Sequence, residues 1–254
     1  MIEKKMVYTD DEQIVRIWDV ELVRNTMGRM AYYFSSGDTR RLVNELFVTE
    51  ADYRRKASLA MNNGFYIGLD EVVRHLVLDE NQRMYDNLKA RAEADPSIPM
   101  DNLHLGLGCA DFMTVTTPVV KISDDGRFAQ FMGYYLGYTI EGKADKTAAA
   151  YQLFGRIMAD LVKEESGEWR IWHLALAHDH TVESGSNYAD FPVRGWPEPI
   201  SDRFGEPTEK RELYNAFFGW EYCPEDMPKE KYYTYTDKLG YGPESDYGRP
   251  YYER

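Results

Sequence analysis

Two strand–turn–strand patterns between residues 111 and 178 constrain the fold of this chain more than any other feature of its sequence. The first turn is the sequence Ser-Asp-Asp-Gly at 123–126, and Asp-Asp-Gly between two apolar runs is a strong hairpin signal. A second turn lies at 164–167. The flanking segments are 111–122, 127–140, 149–163 and 168–178. They predict a meander of four long antiparallel strands.

Three helical patterns precede this meander. Thr9 and Glu12 have the spacing of a capping box, and residues 11–34 after them carry a broad apolar stripe. Its members are Ile14, Trp18, Leu22, Met27, Met30 and Phe34. A second, short helix is predicted over 39–47, with its Leu and Val side chains inward.

A strand is expected at 52–59, between the second helix and the third. The third helix begins near Gly68 and extends toward Ala94, before Pro96. Helices segregated from an antiparallel sheet define the α+β class. We therefore expect a curved antiparallel sheet wrapped around three N-terminal helices, with a cone-shaped cavity between the sheet and the first helix.

The last part of the chain has a different composition. Residues 181–254 hold 16 of the 36 aromatic residues and 8 of the 11 prolines. The prolines rule out long helices and central strands, whereas a disordered tail is poor in aromatic residues. We expect a domain at 1–182 and an extended arm at 183–254 that packs on the domain or on a neighbouring subunit. The one helical candidate in this arm is 206–218.

Charge and apolar content exclude several classes of partner. The chain has 30 Lys and Arg against 43 Asp and Glu, a net charge of −13, so it has no cationic surplus to bind nucleic acid or an anionic membrane. It contains no apolar run of about 18 residues and no apolar N-terminal signal segment. With two cysteines, Cys109 and Cys223, it has no disulfide framework, so we expect a reduced, cytoplasmic protein.

Three motifs resemble a known family when they are taken together in order and spacing. They are 32–38 (YYFSSGD), similar to a helix end before Gly-Asp; 68–73 (GLDEVV), similar to a helix start; and 155–162 followed by 167–171 (GEWRI), similar to a last hairpin with a G-x-W-x-I strand. Over about residues 10–180 the chain resembles the SnoaL-like branch of the nuclear-transport-factor-two-like superfamily. This resemblance implies the cone-shaped α+β fold.

The resemblance also implies a range of functions. The family includes cofactor-free isomerases, dehydratases, polyketide cyclases and lyases, alongside domains that only bind. It implies acid–base proton transfer, without metal or cofactor, on a hydroxylated aromatic or polycyclic molecule. One example is elimination of water or formaldehyde from an aryl-propane or steroid-like alcohol. The alternative is a non-catalytic binding or assembly module, whose cavity would be filled by apolar side chains without converging polar groups.

Histidines are the first candidates for proton transfer. In a regular strand His173 shares a face with Trp169 and Ile171, which in the family pack toward the cone, so we expect its imidazole to reach the cavity. The same alternation places His178 on the other face. His104 is expected near the cavity mouth. We expect no metal site, because His178 and His180 alternate with Asp179 and no further ligand is evident.

Further candidates lie on the first helix and on the strands. The family often presents a Tyr hydroxyl at the end of helix one, where this chain has Tyr32 and Tyr33; Tyr33 is the catalytic candidate. Asp160 and Arg156 share a strand face, either as a buried pair that orients a substrate or as an exposed salt bridge. The expected substrate-binding residues are Tyr32, Tyr53, Tyr135, Arg156 and Met113.

Two positions depart from the family pattern. Met113 stands where the family commonly has a His, and Ser35 stands where it frequently has an Asp. Both substitutions weaken the transfer of a dehydratase mechanism to this chain. The outer face of the sheet is expected to carry Trp172, Leu174 and Leu176, which predicts a homodimer or higher homo-oligomer.

Overall fold

The computed structural model describes residues 8–61, 64–100, 107–186 and 208–210. Its helices are α1 (Asp10–Ser35), α2 (Thr39–Leu46), α3 (Ala51–Arg54), α4 (Leu69–Val73) and α5 (Glu80–Ala94), with a π-helical segment (Arg74–Asp79) that joins the last two. Its strands are β1 (Ser58–Met61), β2 (Gly64–Ile67), β3 (Cys109–Ile122), β4 (Phe128–Gly142), β5 (Ala148–Lys163), β6 (Trp169–Glu183) and β7 (Glu209–Lys210).

Helix α1 confirms the predicted capping box. The Glu12 backbone N–H donates to the Thr9 hydroxyl at 3.3 Å, and the Glu12 carboxylate accepts from the Thr9 backbone N–H at 2.7 Å. These bonds satisfy N–H groups that the first helical turn leaves without partners. The helix continues to Ser35, whose hydroxyl bonds both to the Ala31 carbonyl and to strand β3.

The inward face of α1 differs from the predicted stripe in its first half. Arg16 donates to the Ser123 carbonyl at 3.0 Å, and Asp19 accepts from Lys163 at 2.8 Å and from Trp169 Nε1 at 2.9 Å. Because these polar contacts hold the helix against the sheet, Ile14 and Trp18 face solvent, contrary to prediction. Met27 and Met30, further along the stripe, are buried as predicted.

The seven strands form one sheet in the order β3-β4-β5-β6-β1-β2-β7. Strands β3 to β6 are the predicted antiparallel meander, and β1 runs parallel to β6. The sheet curves without closing, and α1, α2 and the α4–α5 segment cover its inner face. The expected α+β fold, with a curved sheet around N-terminal helices, is therefore confirmed.

Strand β6 contains a bulge that reverses the predicted direction of its side chains from residue 173 to residue 178. Leu161 on β5 pairs with Ile171, whereas Asp160 pairs with His173, so Trp172 is an extra residue. A bulge of one residue moves all the following side chains to the opposite face, because strand side chains alternate with a period of two. Leu174 and Leu176, predicted to face outward, consequently belong to the buried inner face.

Two other expectations about local structure are corrected. The predicted strand at 52–59 is the single turn α3 followed by β1, and the Tyr53 ring of α3 packs on Trp172 at 5.2 Å between ring centroids. Residues 209–210, predicted to be helical, pair with β2 as β7. Most of the predicted arm, together with Cys223, lies outside the described residues. None of the helices in the described residues is long and apolar enough to cross a membrane.

Candidate functional site

A cavity lies between the inner face of the sheet and the helices. Its volume is about 60 Å³, several times the roughly 15 Å³ that one water requires but less than the roughly 150 Å³ of an apolar cavity that holds benzene. Its apolar walls include Phe34, Leu76, Met113, Leu153 and Leu176. Its polar lining residues include His75, Glu80, Arg83, Asp111, Tyr135, Thr139, Glu141, Tyr151 and His178. Polar groups therefore converge on an apolar cavity.

Tyr135, Gly155 and His178 form one row across three neighbouring strands, which we call the inner row. Tyr135 on β4 pairs with Gly155 on β5, and Gly155 pairs with His178 on β6. Because glycine has no side chain, the Tyr135 hydroxyl passes over β5 and hydrogen-bonds to His178 Nδ1. The two side chains are fully buried and meet with their rings nearly perpendicular, at 83°. The sequence thus builds a tyrosine–histidine pair from two strands that are not neighbours.

Burial keeps His178 neutral. The low-polarity surroundings disfavour the imidazolium and lower the pKa of His178 to about 3. A neutral imidazole has one N–H donor and one acceptor nitrogen, and the tautomer is fixed by its hydrogen-bond partner. Bonded to Tyr135, this ring is one half of a pair that can pass a proton in either direction.

His75 lies on the helical wall of the same cavity. It belongs to the π-helical segment, a feature frequently found at functional sites. Its ring stacks on Tyr66 with the centroids 4.1 Å apart, and its Nε2 lies 3.2 Å from Met61 Sδ. Burial, with the positive charge of Arg74 as a smaller cause, lowers the pKa of His75 to about 4. A second neutral imidazole therefore faces the sheet across the cavity.

Charged residues gather at one end of the cavity. Arg83 lies 2.6 Å from Glu80 and 3.7 Å from each of Asp111 and Glu141, all with largely buried side chains. Burial, reinforced by the nearby Glu80 carboxylate, raises the pKa of Asp111. Asp111 pairs with Thr139 on β4, four residues from Tyr135, so this end is roughly 13 Å from the tyrosine–histidine pair at about 3.4 Å per strand residue.

His173, the leading catalytic candidate, does not line this cavity. The extra residue Trp172 turns it to the outer face, where its Nδ1 lies 2.8 Å from the Ser58 hydroxyl. The same bulge turns His178, predicted to face outward, into the cavity. The expectation that His173 shares a face with Trp169 and Ile171 is therefore wrong.

Asp160 and Arg156 also lie on the outer face, because they alternate with the inward residues of β5. No ion pair joins these two residues within the part of the chain that the structure describes. Of the expected substrate-binding residues, Tyr135 and Met113 do line the cavity. His104 lies outside the described residues.

The tyrosines of helix α1 are used elsewhere. Tyr33 donates to Glu45 at 2.7 Å and accepts from Arg29 and Arg41, whereas Tyr32 is 70% exposed. Hydrogen bonds from Arg41 and Tyr33 lower the pKa of Glu45 to about 2. Tyr33 therefore fastens α1 to α2.

Tyr53 also has a structural contact. Its ring packs against Trp172 and Phe128 on the outer face of the sheet. Its backbone carbonyl accepts a hydrogen bond from Trp172 Nε1 at 3.1 Å. None of the tyrosines at 32, 33 and 53 is among the residues that line the cavity.

The two positions that depart from the family pattern contact each other. The Met113 backbone N–H donates to the Ser35 hydroxyl at 2.9 Å, and that hydroxyl also lies 3.3 Å from the Met113 carbonyl oxygen. Ser35 thus joins the end of α1 to β3. The Met113 side chain is part of the apolar wall.

Three residues of the cavity, His178, His75 and Asp111, are not indicated as site residues by the sequence patterns. His178 was set aside by strand alternation, which holds only for a strand without a bulge. His75 has apolar neighbours in a helical pattern and no signal of its own. Gly155, an isolated glycine within a strand pattern, is the one available sign that side chains from neighbouring strands meet at its position.

Comparisons with known proteins give similarities of fold at low identity. No family model and no curated protein matches the chain. A nuclear transport factor 2-like superfamily protein from Salmonella enterica is 13% identical, with a TM-score of 0.44, over 68% of this chain and 99% of that one. The structure of LinA is 8% identical, with a TM-score of 0.47, over 73% and 98%.

A third similar structure is a nuclear transport factor 2-like protein with a cystatin-like fold from Novosphingobium aromaticivorans. It is 17% identical, with a TM-score of 0.43, over 73% of this chain and 97% of that one. Among the described residues, no three His, Cys, Asp or Glu side chains group as metal ligands. Over about two thirds of its length, the chain is similar in fold to structures of the nuclear transport factor 2-like superfamily.

Proposed function

We propose that the cavity is the active site of a cofactor-independent lyase or isomerase that moves a proton at carbon in a small, neutral molecule. The observation that carries this proposal is the hydrogen bond between Tyr135 and His178 across Gly155, inside a cavity with apolar walls. A positioned acid and base of this kind contributes about 10²–10⁴-fold to rate. In this proposal His178 and Tyr135 replace the predicted pair His173 and Tyr33.

The buried pair supports proton transfer through its surroundings. With a pKa of about 3 in the unliganded site, His178 takes up no proton from solvent near neutrality. A substrate that loses a proton to the pair develops negative charge on its oxygen next to the imidazole. This negative charge stabilises the imidazolium in place of the water that burial excludes. The pKa of His178 therefore rises as the proton is transferred. Proton uptake is thereby tied to the presence of a substrate.

The shape and charge of the cavity support the choice of substrate. A volume of about 60 Å³ favours a molecule of a few heavy atoms over the polycyclic ligands expected from the sequence. Three carboxyl groups and one guanidinium at the charged end disfavour an anion. We propose a ketone, an aldehyde or the alcohol related to one of them, whose oxygen accepts from the Tyr135 hydroxyl and whose acidic C–H lies beside His178 Nε2. In this arrangement His178 Nδ1–H donates to the Tyr135 oxygen, and Nε2 takes the proton from carbon.

Deuterium exchange from D2O tests this proposal directly. The probes are acetone, 2-butanone and 2-tetralone, followed by proton NMR at pH 7 against buffer and against an unrelated protein. We expect exchange at least 100-fold faster than in buffer, with acetone or 2-butanone ahead of 2-tetralone because of the cavity volume. Equal rates with and without the protein for all three ketones would overturn the proposal.

Matched variants assign the chemistry to the pair. Tyr135→Phe removes only the hydroxyl and is expected to slow exchange at least 10-fold, and His178→Asn is expected to reduce it to the buffer rate. Tyr32→Phe is the control, because Tyr32 is exposed and lies outside the cavity lining. Unchanged exchange in both pair variants would assign the reaction to other residues.

The alternative is a module that binds without catalysis, and it has a distinct outcome. Most of the cavity wall is apolar, so small ligands can bind there whether or not a proton moves. Ketones that raise the melting temperature without faster exchange would establish the binding module and exclude the proposed reaction.

A further inference from the structure

The outer face of the sheet carries a second row of polar residues, at the same strands but away from the cavity. Strand pairing places Lys121 opposite Gln130, Gln130 opposite Asp160, Asp160 opposite His173, and His173 opposite Ser58. Residues opposite each other point to the same face of a sheet. We call Gln130, Asp160 and His173 the outer row, with Lys121 and Ser58 at its two ends.

Two neighbours in the outer row have unused hydrogen-bonding capacity. Gln130 is only 6% exposed, and its Oε1 atom has no hydrogen-bond partner. Asp160, beside it on β5, has no hydrogen bond or ion pair within the described part of the chain. An unpaired buried acceptor is costly, so such a group in a native protein calls for an explanation, and a bound ligand is one.

The outer row favours neutral groups. Asp160 retains some exposed surface, but the surrounding strands bury its carboxyl and raise its pKa well above the usual range. Burial, and then the positive charge of Lys56, lower the pKa of His173 to about 3. Lys121, at the end of the row, keeps its charge near neutrality, because burial lowers its pKa only to about 8. Side by side, the Gln130 carbonyl accepts a hydrogen bond, and the Asp160 carboxyl, in the neutral form that its burial favours, donates one.

An aromatic surface adjoins these two groups. Phe128 lies two residues before Gln130 and therefore on the same face of β4. Its ring is 6.3 Å from Trp172, and both rings contact Tyr53. The Trp172 ring also lies 4.3 Å from the imidazole of His173. An aromatic ligand bound to the polar pair would rest beside this surface.

We propose that Gln130 and Asp160 form a second ligand-binding site, for a neutral aromatic carboxamide or lactam. The amide N–H of the ligand donates to Gln130 Oε1, and its carbonyl accepts from the Asp160 carboxylic acid. The ring of the ligand packs beside Phe128 and Trp172. Asp160 keeps exposed surface, so the site is entered from its side while Gln130 lies beneath. This site is independent of the proposed reaction, because it lies on the opposite face of the sheet.

Benzamide is the probe, measured by isothermal titration calorimetry on the full chain, with acetophenone and benzoate as comparisons. Acetophenone has the carbonyl but no N–H, and benzoate has a charge in place of the N–H. We expect benzamide to bind at least 10-fold more tightly than either. Equal binding of benzamide and acetophenone, or no binding of benzamide at millimolar concentration, would overturn the proposal.

Variants locate the site and separate it from loss of folding. Gln130→Leu is expected to weaken benzamide binding at least 10-fold, whereas Gln82→Leu, the same change at an exposed helix position, leaves it unchanged. Asp160→Asn keeps a neutral donor and is expected to retain binding, while Asp160→Leu loses it. Melting curves confirm that each variant is folded.

Two further outcomes would contradict the assignment. Stronger binding at high pH, or loss of binding in Asp160→Asn, would show that the ionised carboxylate of Asp160 is the group that binds. Loss of binding in Tyr135→Phe but not in Gln130→Leu would place benzamide in the cavity instead.

Discussion

The inner row and the outer row are built on the same three strands and differ mainly in the residue of the middle strand. In the inner row, β5 contributes Gly155, and the histidine of β6 bonds to the tyrosine of β4 across it. In the outer row, β5 contributes Asp160, and the histidine of β6 bonds to Ser58 of β1 instead. The residue of the middle strand therefore decides whether polar groups two strands apart satisfy each other or remain available to a ligand.

The largest effect we predict concerns the apolar wall of the cavity, on the inner face of the sheet. Leu176 is 2% exposed and lines the cavity on the inner face, two residues before His178. Leu176→Ala is expected to lower the free energy of unfolding by about 3 kcal/mol, because it removes buried methyl groups and enlarges the cavity. Urea denaturation measures the loss.

The control for this variant is Leu78→Ala, at a side chain that is 58% exposed in the π-helical segment. It is expected to change the free energy of unfolding by less than about 0.5 kcal/mol. A loss below about 1 kcal/mol in Leu176→Ala would show that the wall collapses into the cavity, which would contradict an open space beside the inner row.

The middle residue of the inner row can be tested by one methyl group. Gly155→Ala places a Cβ between Tyr135 and His178 and is expected to slow deuterium exchange about 10–100-fold, equivalent to roughly 1.4–2.7 kcal/mol. Benzamide binding on the outer face is expected to stay the same. Proton NMR and calorimetry measure the two activities in one preparation.

Gly28→Ala is the matched control, because a Cβ at Gly28 meets no atom within 4 Å. It is expected to leave exchange unchanged. If Gly155→Ala kept the full exchange rate, the bond across β5 would not be needed for the reaction, and the difference between the two rows would have no bearing on catalysis.

Acid is expected to lower the free energy of unfolding through the buried histidine of each row. His178 and His173 have pKa values of about 3 in the folded protein, against about 6.5 in an unfolded chain. The unfolded chain therefore takes up protons between pH 6.5 and 3 that the folded protein does not. Stability is fully present above pH 6.5 and is lost as the pH falls, by about 2 kcal/mol for each histidine between pH 7 and pH 5.

Urea denaturation at the two pH values measures this loss for the wild type, for His178→Gln and for His173→Gln. Each variant is expected to lose about 2 kcal/mol less than the wild type. Asp111 and Asp160, whose pKa values are raised in the folded protein, stabilise it as the pH falls. Because both are present in all three proteins, their effect cancels in the comparison. If a variant lost as much free energy of unfolding between pH 7 and pH 5 as the wild type, the histidine that it lacks would be charged or exposed in the folded protein.

Much of the fold follows from local signals in the sequence. The capping box of α1, the short helix α2 and both hairpins of the meander are set by local signals, and each is present where it was predicted. Local signals suffice because a turn or a helix cap involves only neighbouring residues. The α+β arrangement follows from the order of these elements.

The site could not be predicted in the same way. Its histidine depends on an extra residue, Trp172, within a strand that reads as regular, and one such residue exchanges the faces of His173 and His178. Trp172 packs against Tyr53 of α3, a segment predicted to be a strand. The position of the bulge is thus part of tertiary packing, which a strand pattern does not contain.

The smallest effect we predict lies on the outer face beyond the outer row, where β3 and β4 expose large apolar side chains. These are Phe112, Tyr134, Leu136, Tyr138 and Ile140. Leu136 is 42% exposed, so Leu136→Ala is expected to change the free energy of unfolding by less than about 0.5 kcal/mol at submicromolar protein concentration.

This surface replaces Leu174 and Leu176 as the proposed contact between copies of the chain. If two copies meet there, the loss caused by Leu136→Ala must grow with protein concentration, because association stabilises the folded form by mass action. Denaturation at 0.5 and 50 micromolar protein measures this dependence, and an equal, small change at both concentrations would rule out an interface at Leu136.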